Sequence, residues 1–212
     1  MLQNNFVKAA LLSLFLIIVS VFSYELLLRK KGYDISYDDD ERLWAKARKK
    51  VYQPTDSTVV FVGSSRIKFD LDIPTWQKET GTNAVQLAMV GSNPMPLLHD
   101  LAEDENFKGR LIIDVTEILF FNSAPPFYER PNKGLNYYKK ETPSEKASLL
   151  FSQLLESKLV LLDKDYFSTN AYLEKLGLKN RPGVSSGNLP FPWEFDLTTI
   201  DRQSKMHDRF VA

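Results

Sequence analysis

Two serines and an arginine follow a glycine at the end of an apolar run, Thr58-Val59-Val60-Phe61-Val62-Gly63-Ser64-Ser65-Arg66. A serine hydroxyl on a tight turn can attack an acyl carbon, provided a base takes its proton and N–H groups hold the oxyanion. Ser65 is the candidate nucleophile, and the backbone N–H groups of its own turn are candidate oxyanion donors. Arg66 offers a cation to an anionic substrate group, or an ion-pair partner to Asp70 or Glu117. Bases are scarce, because the chain has two histidines, His99 and His207. His207 has Asp208 beside it, but neighbours in sequence do not face each other on a helix. There is no cysteine, which excludes a thiolate nucleophile, a disulfide and a Cys-type zinc site. Two histidines leave little material for a His-rich metal site, and no metal or cofactor is expected. The competing account of Gly-Ser-Ser is an ordinary polar turn, since the tripeptide is common.

The elements around these residues decide between the two accounts. Val59 to Val62 are three valines and one aromatic, the composition of a strand buried on both faces. Ala84 to Val90 reads as a second strand, ending in Gly91-Ser92-Asn93-Pro94. Arg110 to Val115 reads as a third, followed by Thr116 and Glu117. Between them lie a loop and short helix over Lys68 to Glu79, with Pro74 and Trp76, and a helix from Pro96 to Glu105 with Leu97, Leu98 and Leu101 turned inward. Strand, helix, strand, helix, strand within about 60 residues implies βαβ units and a parallel sheet. In such a sheet the strand ends share one edge, where open α/β sheets keep their sites. Ser65, Gly91 and residues 114–117 are therefore expected to converge. His99, in the helix about two turns' worth of residues after Gly91, points away from that edge.

A strand ending in Gly63-Ser64-Ser65-Arg66, a second ending in Gly91 with Asn93 just after, and a third ending in an acidic turn resemble the SGNH/GDSL hydrolase superfamily. The closer resemblance is to its membrane-anchored bacterial branch, which includes D-alanine transfer proteins of teichoic acid and O-acetyltransferases of exopolysaccharide. The resemblance covers roughly Val59 to Phe121. It implies an α/β fold with a three-layer parallel sheet (SGNH/flavodoxin-like), and a serine esterase or O-acyltransferase acting on cell-envelope or exopolysaccharide acyl esters. Ser65 would be the nucleophile and the Gly91 N–H an oxyanion donor. Asn93 is a candidate amide donor by position, since the family's Gly-x-Asn block is absent after the third strand. Arg66 and Glu117 are candidate substrate contacts. The family closes with Asp-x-x-His; here Ser204, Lys205 and Met206 precede His207, which remains the candidate base. The family's later strands are not found after Lys140. The chain is then a piece of a longer protein, or depends on a partner, or is a non-catalytic subunit that binds glycan or a membrane-bound acyltransferase.

From Phe6 to Leu28 the chain is almost wholly apolar. As a helix it would be about 35 Å long, enough to cross a bilayer. The run continues past Ser23, a possible cleavage point, as Leu26-Leu27-Leu28, which favours an uncleaved signal anchor over a cleaved leader. The basic residues Arg29, Lys30 and Lys31 alone favour a cytoplasmic location for the remainder of the chain; the resemblance implies a periplasmic or extracellular one. Lys+Arg and Asp+Glu are equal at 27 each, so no basic field argues for nucleic acid. The expected partners are the membrane and an acylated glycan. The boundaries read as an anchor over 1–31, a juxtamembrane spacer and helix over 32–57, and an α/β domain over 58–212. Asp34 to Asp40 reads as an acidic spacer and Ser123 to Lys140 as an excursion over the active edge, whose aromatic residues, with those of 191–195, could line a glycan groove. Pro143 to Leu162 reads as a helix, Tyr166 to Leu176 as another, and Ile200 to Phe210 as a short polar helix.

Overall fold

The computed structural model of the protein describes residues 2–52, 57–169, 172–173, 176 and 197–206. The turn expected at Pro54-Thr55-Asp56, the aromatic residues of 191–195 and His207 lie outside the described residues.

The chain begins with α1 (Leu2–Lys30). Asn5–Lys30 is long and apolar enough to span a membrane, and its apolar window is not buried against the rest of the protein. Its last turns are docked. Glu25 and Leu28 are buried, and the Glu25 carboxylate accepts from the N–H groups of Val160 (3.0 Å) and Leu161 (3.1 Å). Helix α2 (Glu41–Lys49) follows, capped by Asp40, whose carboxylate accepts from the N–H groups of Arg42 and Leu43. That satisfies two donors that a helix start leaves without intrahelical partners.

Strands β1 (Thr58–Val62), β2 (Asn83–Gln86) and β3 (Arg110–Ile113) form a small parallel sheet in the order β2-β1-β3. Val60 pairs with Val85 on one side and Leu111 on the other. Helices α3 (Ser65–Asp70) and α4 (Ile73–Thr80) connect β1 to β2, and α5 (Met95–Ala102) connects β2 to β3. Alternate residues of a strand face opposite ways, and two apolar clusters result. Val60, Val62, Val85, Leu87 and Met89 pack with Trp44 of α2 and with Leu97 and Leu101 of α5. Val59, Phe61 and Ala84 pack with Leu71, Ile73 and Trp76, the Trp76 ring standing edge-on to Phe61 at 4.9 Å. The protein is thus a mixed α/β molecule, mostly helical, with one apolar N-terminal helix. On the outer side of β3 no further strand pairs among the described residues. Ile112, Ile113, Val115, Ile118 and Phe121 are exposed there.

Beyond β3 come α6 (Glu117–Phe120), α7 (Pro126–Lys140), α8 (Pro143–Glu156), α9 (Lys164–Phe167) and a hairpin of β4 (Leu197–Thr198) with β5 (Ser204–Lys205). Three sequence expectations are corrected here. Residues 126–140 are a core helix and not an excursion: Leu135 is buried in the larger cluster, and a Cβ on Gly134 would fall 2.8 Å from Met89 and 2.9 Å from Trp44. Ser204 and Lys205 are a strand and not helical. The helix expected to reach Leu162 stops at Glu156, and a 3₁₀ turn covers Val160–Leu162. Pro131 inside α7 has no N–H for the carbonyl of Phe127 four residues back; that carbonyl accepts from the Asn93 N–H at 2.9 Å.

Candidate active site

The order β2-β1-β3 puts β1 in the middle. The chain leaves it to one side, and returns past it to the other. Crevices in open α/β sheets lie at such a reversal, at the carboxyl ends of the strands. Here that place is between Gly63 and the exit of β3. The Asp114 N–H donates to the Val62 carbonyl at 2.9 Å, and the Met89 N–H donates to the Gly63 carbonyl at 3.2 Å. The two neighbouring strand exits are thereby tied to the Gly63 corner. A Cβ on Gly63 would lie 2.8 Å from Ile67 Cγ2, 2.9 Å from Asp114 Cβ and 3.0 Å from the Asp114 carbonyl. The residue must be glycine for these exits to approach so closely.

The two serines at this corner differ. Ser64 is 1% exposed, and its hydroxyl has no hydrogen-bond partner. Ser65 is half-buried and starts α3, so its N–H has no intrahelical acceptor. Ser65 is thus the less buried of the two, which favours it over Ser64. Gly91 is exposed with φ 66°. Arg66 reaches across to the β3 exit, donating to Glu117 Oε2 at 3.2 Å and to the Val115 carbonyl at 3.4 Å. The backbone N–H of Glu117, with Arg66 beside it, holds this carboxyl below the usual range. Thr116 donates to Asp114 at 3.3 Å. The sequence-predicted Ser65, Arg66 and Glu117 are therefore on one rim, with Gly91 two residues past Met89 on the neighbouring exit.

Asn93 stands apart from them. It is fully buried, and its Nδ2, with two protons to donate, lies within hydrogen-bond distance of three acceptors: the carbonyls of Phe120 (3.0 Å) and Asn122 (2.9 Å) and Tyr128 Oη (3.1 Å). Its Oδ1 accepts from the Met95 N–H at 2.8 Å. The side chain brackets the loop after β2 to the loop before α7, and its two amide protons are committed there. His99 is exposed and sits 3.0 Å from Glu103 on its own helix.

A buried ionic cluster lies beside the β2 exit, and sequence reasoning missed it. Arg202 is fully buried, with φ 65°, a conformation uncommon for a residue that is not glycine. It donates to the carbonyls of Gln86 (2.8 Å) and Ala88 (3.0 Å) and pairs with Asp39 at 2.5 Å. Lys68, on α3 and also buried, lies 3.2 Å from Asp39 and donates to the Arg202 carbonyl. Arg130 lies 3.4 Å from Asp39. Burial alone would raise the Asp39 carboxyl, but Arg202, Lys68 and Arg130 outweigh it and hold it well below the usual range. Burial, with Arg202 near, brings the Lys68 ammonium down to about 7, against the opposing pull of Asp39. A cleft of about 250 Å³ opens beside this cluster, between Asp39, Trp44, Met89, Arg130 and Arg202. The stretch 34–40 is thus no free spacer: Asp39 is the anion of a buried network, and the Tyr37 N–H donates to the Thr198 carbonyl of β4 at 2.9 Å. The acid run Asp38-Asp39-Asp40 was visible, but its cations lie between 29 and 163 residues away in sequence.

Among the described residues no group of histidines and acids is arranged to hold a metal ion. Comparison of the chain with models of protein families, with curated proteins and with solved structures finds no match in any of the three.

Proposed function

We propose that the protein is a membrane-anchored serine esterase or O-acyltransferase with an SGNH-like, three-layer α/β fold, acting on acyl esters of the cell envelope or an exopolysaccharide. The supporting observation is that the half-buried Ser65 stands at the reversal of strand order, with β3's exit against the same glycine corner. In this reading a base takes the Ser65 proton as Oγ attacks the ester carbonyl. The N–H groups of Ser65 and Gly91 hold the oxyanion. The base returns the proton to the departing alkoxide, leaving an acyl-serine ester that passes to water or to an acceptor hydroxyl. His207 is the base, and Arg66 and Glu117 contact substrate. The α/β domain faces the periplasm or exterior, where such esters are.

A second reading has an observation of its own. The uncovered apolar edge at Ile112, Ile113 and Ile118 suits a non-catalytic anchored subunit completed by a partner such as a membrane-bound acyltransferase. Labelling with a fluorophosphonate probe separates the two. Wild type in membranes is expected to label, Ser64→Ala to label equally, Ser65→Ala not at all, and His207→Ala about 10²-fold more slowly or worse. An unlabelled wild type would remove the enzyme reading.

A further inference from the structure

Helix α8 presents the wrong face to water. Its packed residues are Leu149 and Gln153, 9% and 7% exposed, one turn apart. Gln153 accepts from Lys46 of α2. At about 100° per residue, Leu150, Phe151, Leu154 and Leu155 fall on the opposite side, with Ala147 among them. They are 67%, 64%, 60% and 38% exposed. The charged residues Glu145, Lys146 and Glu156 lie toward the packed side, so the outward stripe carries no charge. An amphipathic helix of a water-surrounded domain has the reverse arrangement, and a contiguous exposed apolar patch marks an interaction surface.

The neighbourhood identifies what covers the stripe. Two residues beyond α8, the Lys158 carbonyl accepts from Arg29 of α1 at 2.9 Å. The next turn is capped by Glu25, which pairs with Arg29 at 2.7 Å. The end of α8 is therefore joined by hydrogen bonds to the last turns of the apolar helix. The outward leucines and Phe151 lie within about 12 Å of that joint along α8, at 1.5 Å per residue. Tyr24, on the last part of the apolar run, bonds Tyr172 at 3.0 Å and meets the Phe167 ring edge-on. Aromatic residues of this kind mark the headgroup level. Arg29, Lys30 and Lys158 are exposed around the joint, at the height where lipid phosphates would lie.

We infer that α8 is an interfacial helix: its Leu150-Phe151-Leu154-Leu155 face lies in the boundary layer of the same bilayer that α1 crosses. A lipid surface is the occupant because the helix that carries the patch is joined by hydrogen bonds to the last turns of the apolar α1, with basic residues exposed at the joint. The inference is independent of the chemistry assigned to Ser65.

The absence of cysteine makes the test direct. The full chain is reconstituted at one copy per lipid nanodisc, with a nitroxide on Phe151→Cys, on Leu154→Cys or on Lys78→Cys, an exposed control on α4. Collision with oxygen, which concentrates in lipid, is compared with collision with a water-soluble nickel chelate. The expected result is an oxygen-to-nickel ratio several-fold higher at 151 and 154 than at 78. Ratios at 151 and 154 equal to that at 78 would overturn the inference. So would labels at 151 and 154 shielded from both reagents, which would mean a protein partner covers the stripe.

Discussion

Replacing Asn93 tests whether this asparagine brackets two loops or serves an oxyanion. Its side chain has four hydrogen-bond partners while fully buried, three of them sharing its two amide protons. Asn93→Ala removes all four and leaves the carbonyls of Phe120 and Asn122 and the N–H of Met95 to find other partners. A hydrogen bond contributes about 0.5–1.5 kcal/mol net, and a buried partner left unsatisfied costs about 1–3 kcal/mol. Phe120 and Asn122 are half-buried, so water can reach part of the gap and the lower ends apply. The total is about 3–5 kcal/mol, a fall in melting temperature of about 10 °C for a chain of this size. Asn93→Asp is the companion variant. It keeps an acceptor for Met95 but aims a carboxylate at two carbonyls, so at neutral pH it should lose at least as much. Thermal unfolding of the detergent-solubilised chain, followed by tryptophan fluorescence, reads both. The reasoning fails if both variants melt within about 1 °C of wild type while probe labelling of Ser65 collapses. That outcome would make Asn93 the oxyanion donor and the bracket incidental.

Two further outcomes rest on the same geometry. Gly63→Ala should cost about 1–3 kcal/mol by overpacking against Ile67 and Asp114, seen as a lower urea midpoint; an unchanged midpoint would mean that the strand exits are not in close contact. Lys68→Met should flatten the pH dependence of stability between about pH 7 and 10. In that window the unfolded chain holds a proton on Lys68 that the native chain has released, so wild-type stability rises with pH there. Below the native value of about 7 both states are protonated and this slope vanishes. A variant with the wild-type slope would show that Lys68 does not titrate in this range.

The sheet was legible because each strand announces itself locally. The valines of β1 leave no polar face, and the spacing to Ala84 and Arg110 leaves room for helices alone, which makes the pairing parallel. The long apolar helix α1 was legible for the same local reason. The helix α7 was not, because Pro125, Pro126, Pro131, Asn132 and Asn136 read as a loop; what holds it is burial of Leu135 and the fit of Gly134 against Trp44, which depend on distant residues. The hairpin of β4 and β5 has two residues per strand, too few for any alternation to register. Topology led to the expectation that Ser65, Gly91 and residues 114–117 converge; the structure ties the β2 and β3 exits to the Gly63 corner through Met89 and Asp114, and Arg66 to Glu117. Asn93 was chosen by its place after Gly91, and nothing local in the sequence reveals that its amide is claimed by carbonyls 27 and 29 residues later. The ionic cluster of Asp39, Lys68, Arg130 and Arg202 was hidden likewise, since its members share no segment.

The proline within α7 has one more consequence. Along the wall of that helix, short of its last turn, the Phe127 oxygen is the one whose usual donor proline has removed. The loop leaving β2 therefore has a single socket into which its amide can plug, and the rod cannot slip past the sheet by a turn without emptying it. A residue normally regarded as a helix breaker acts here as the notch of a key.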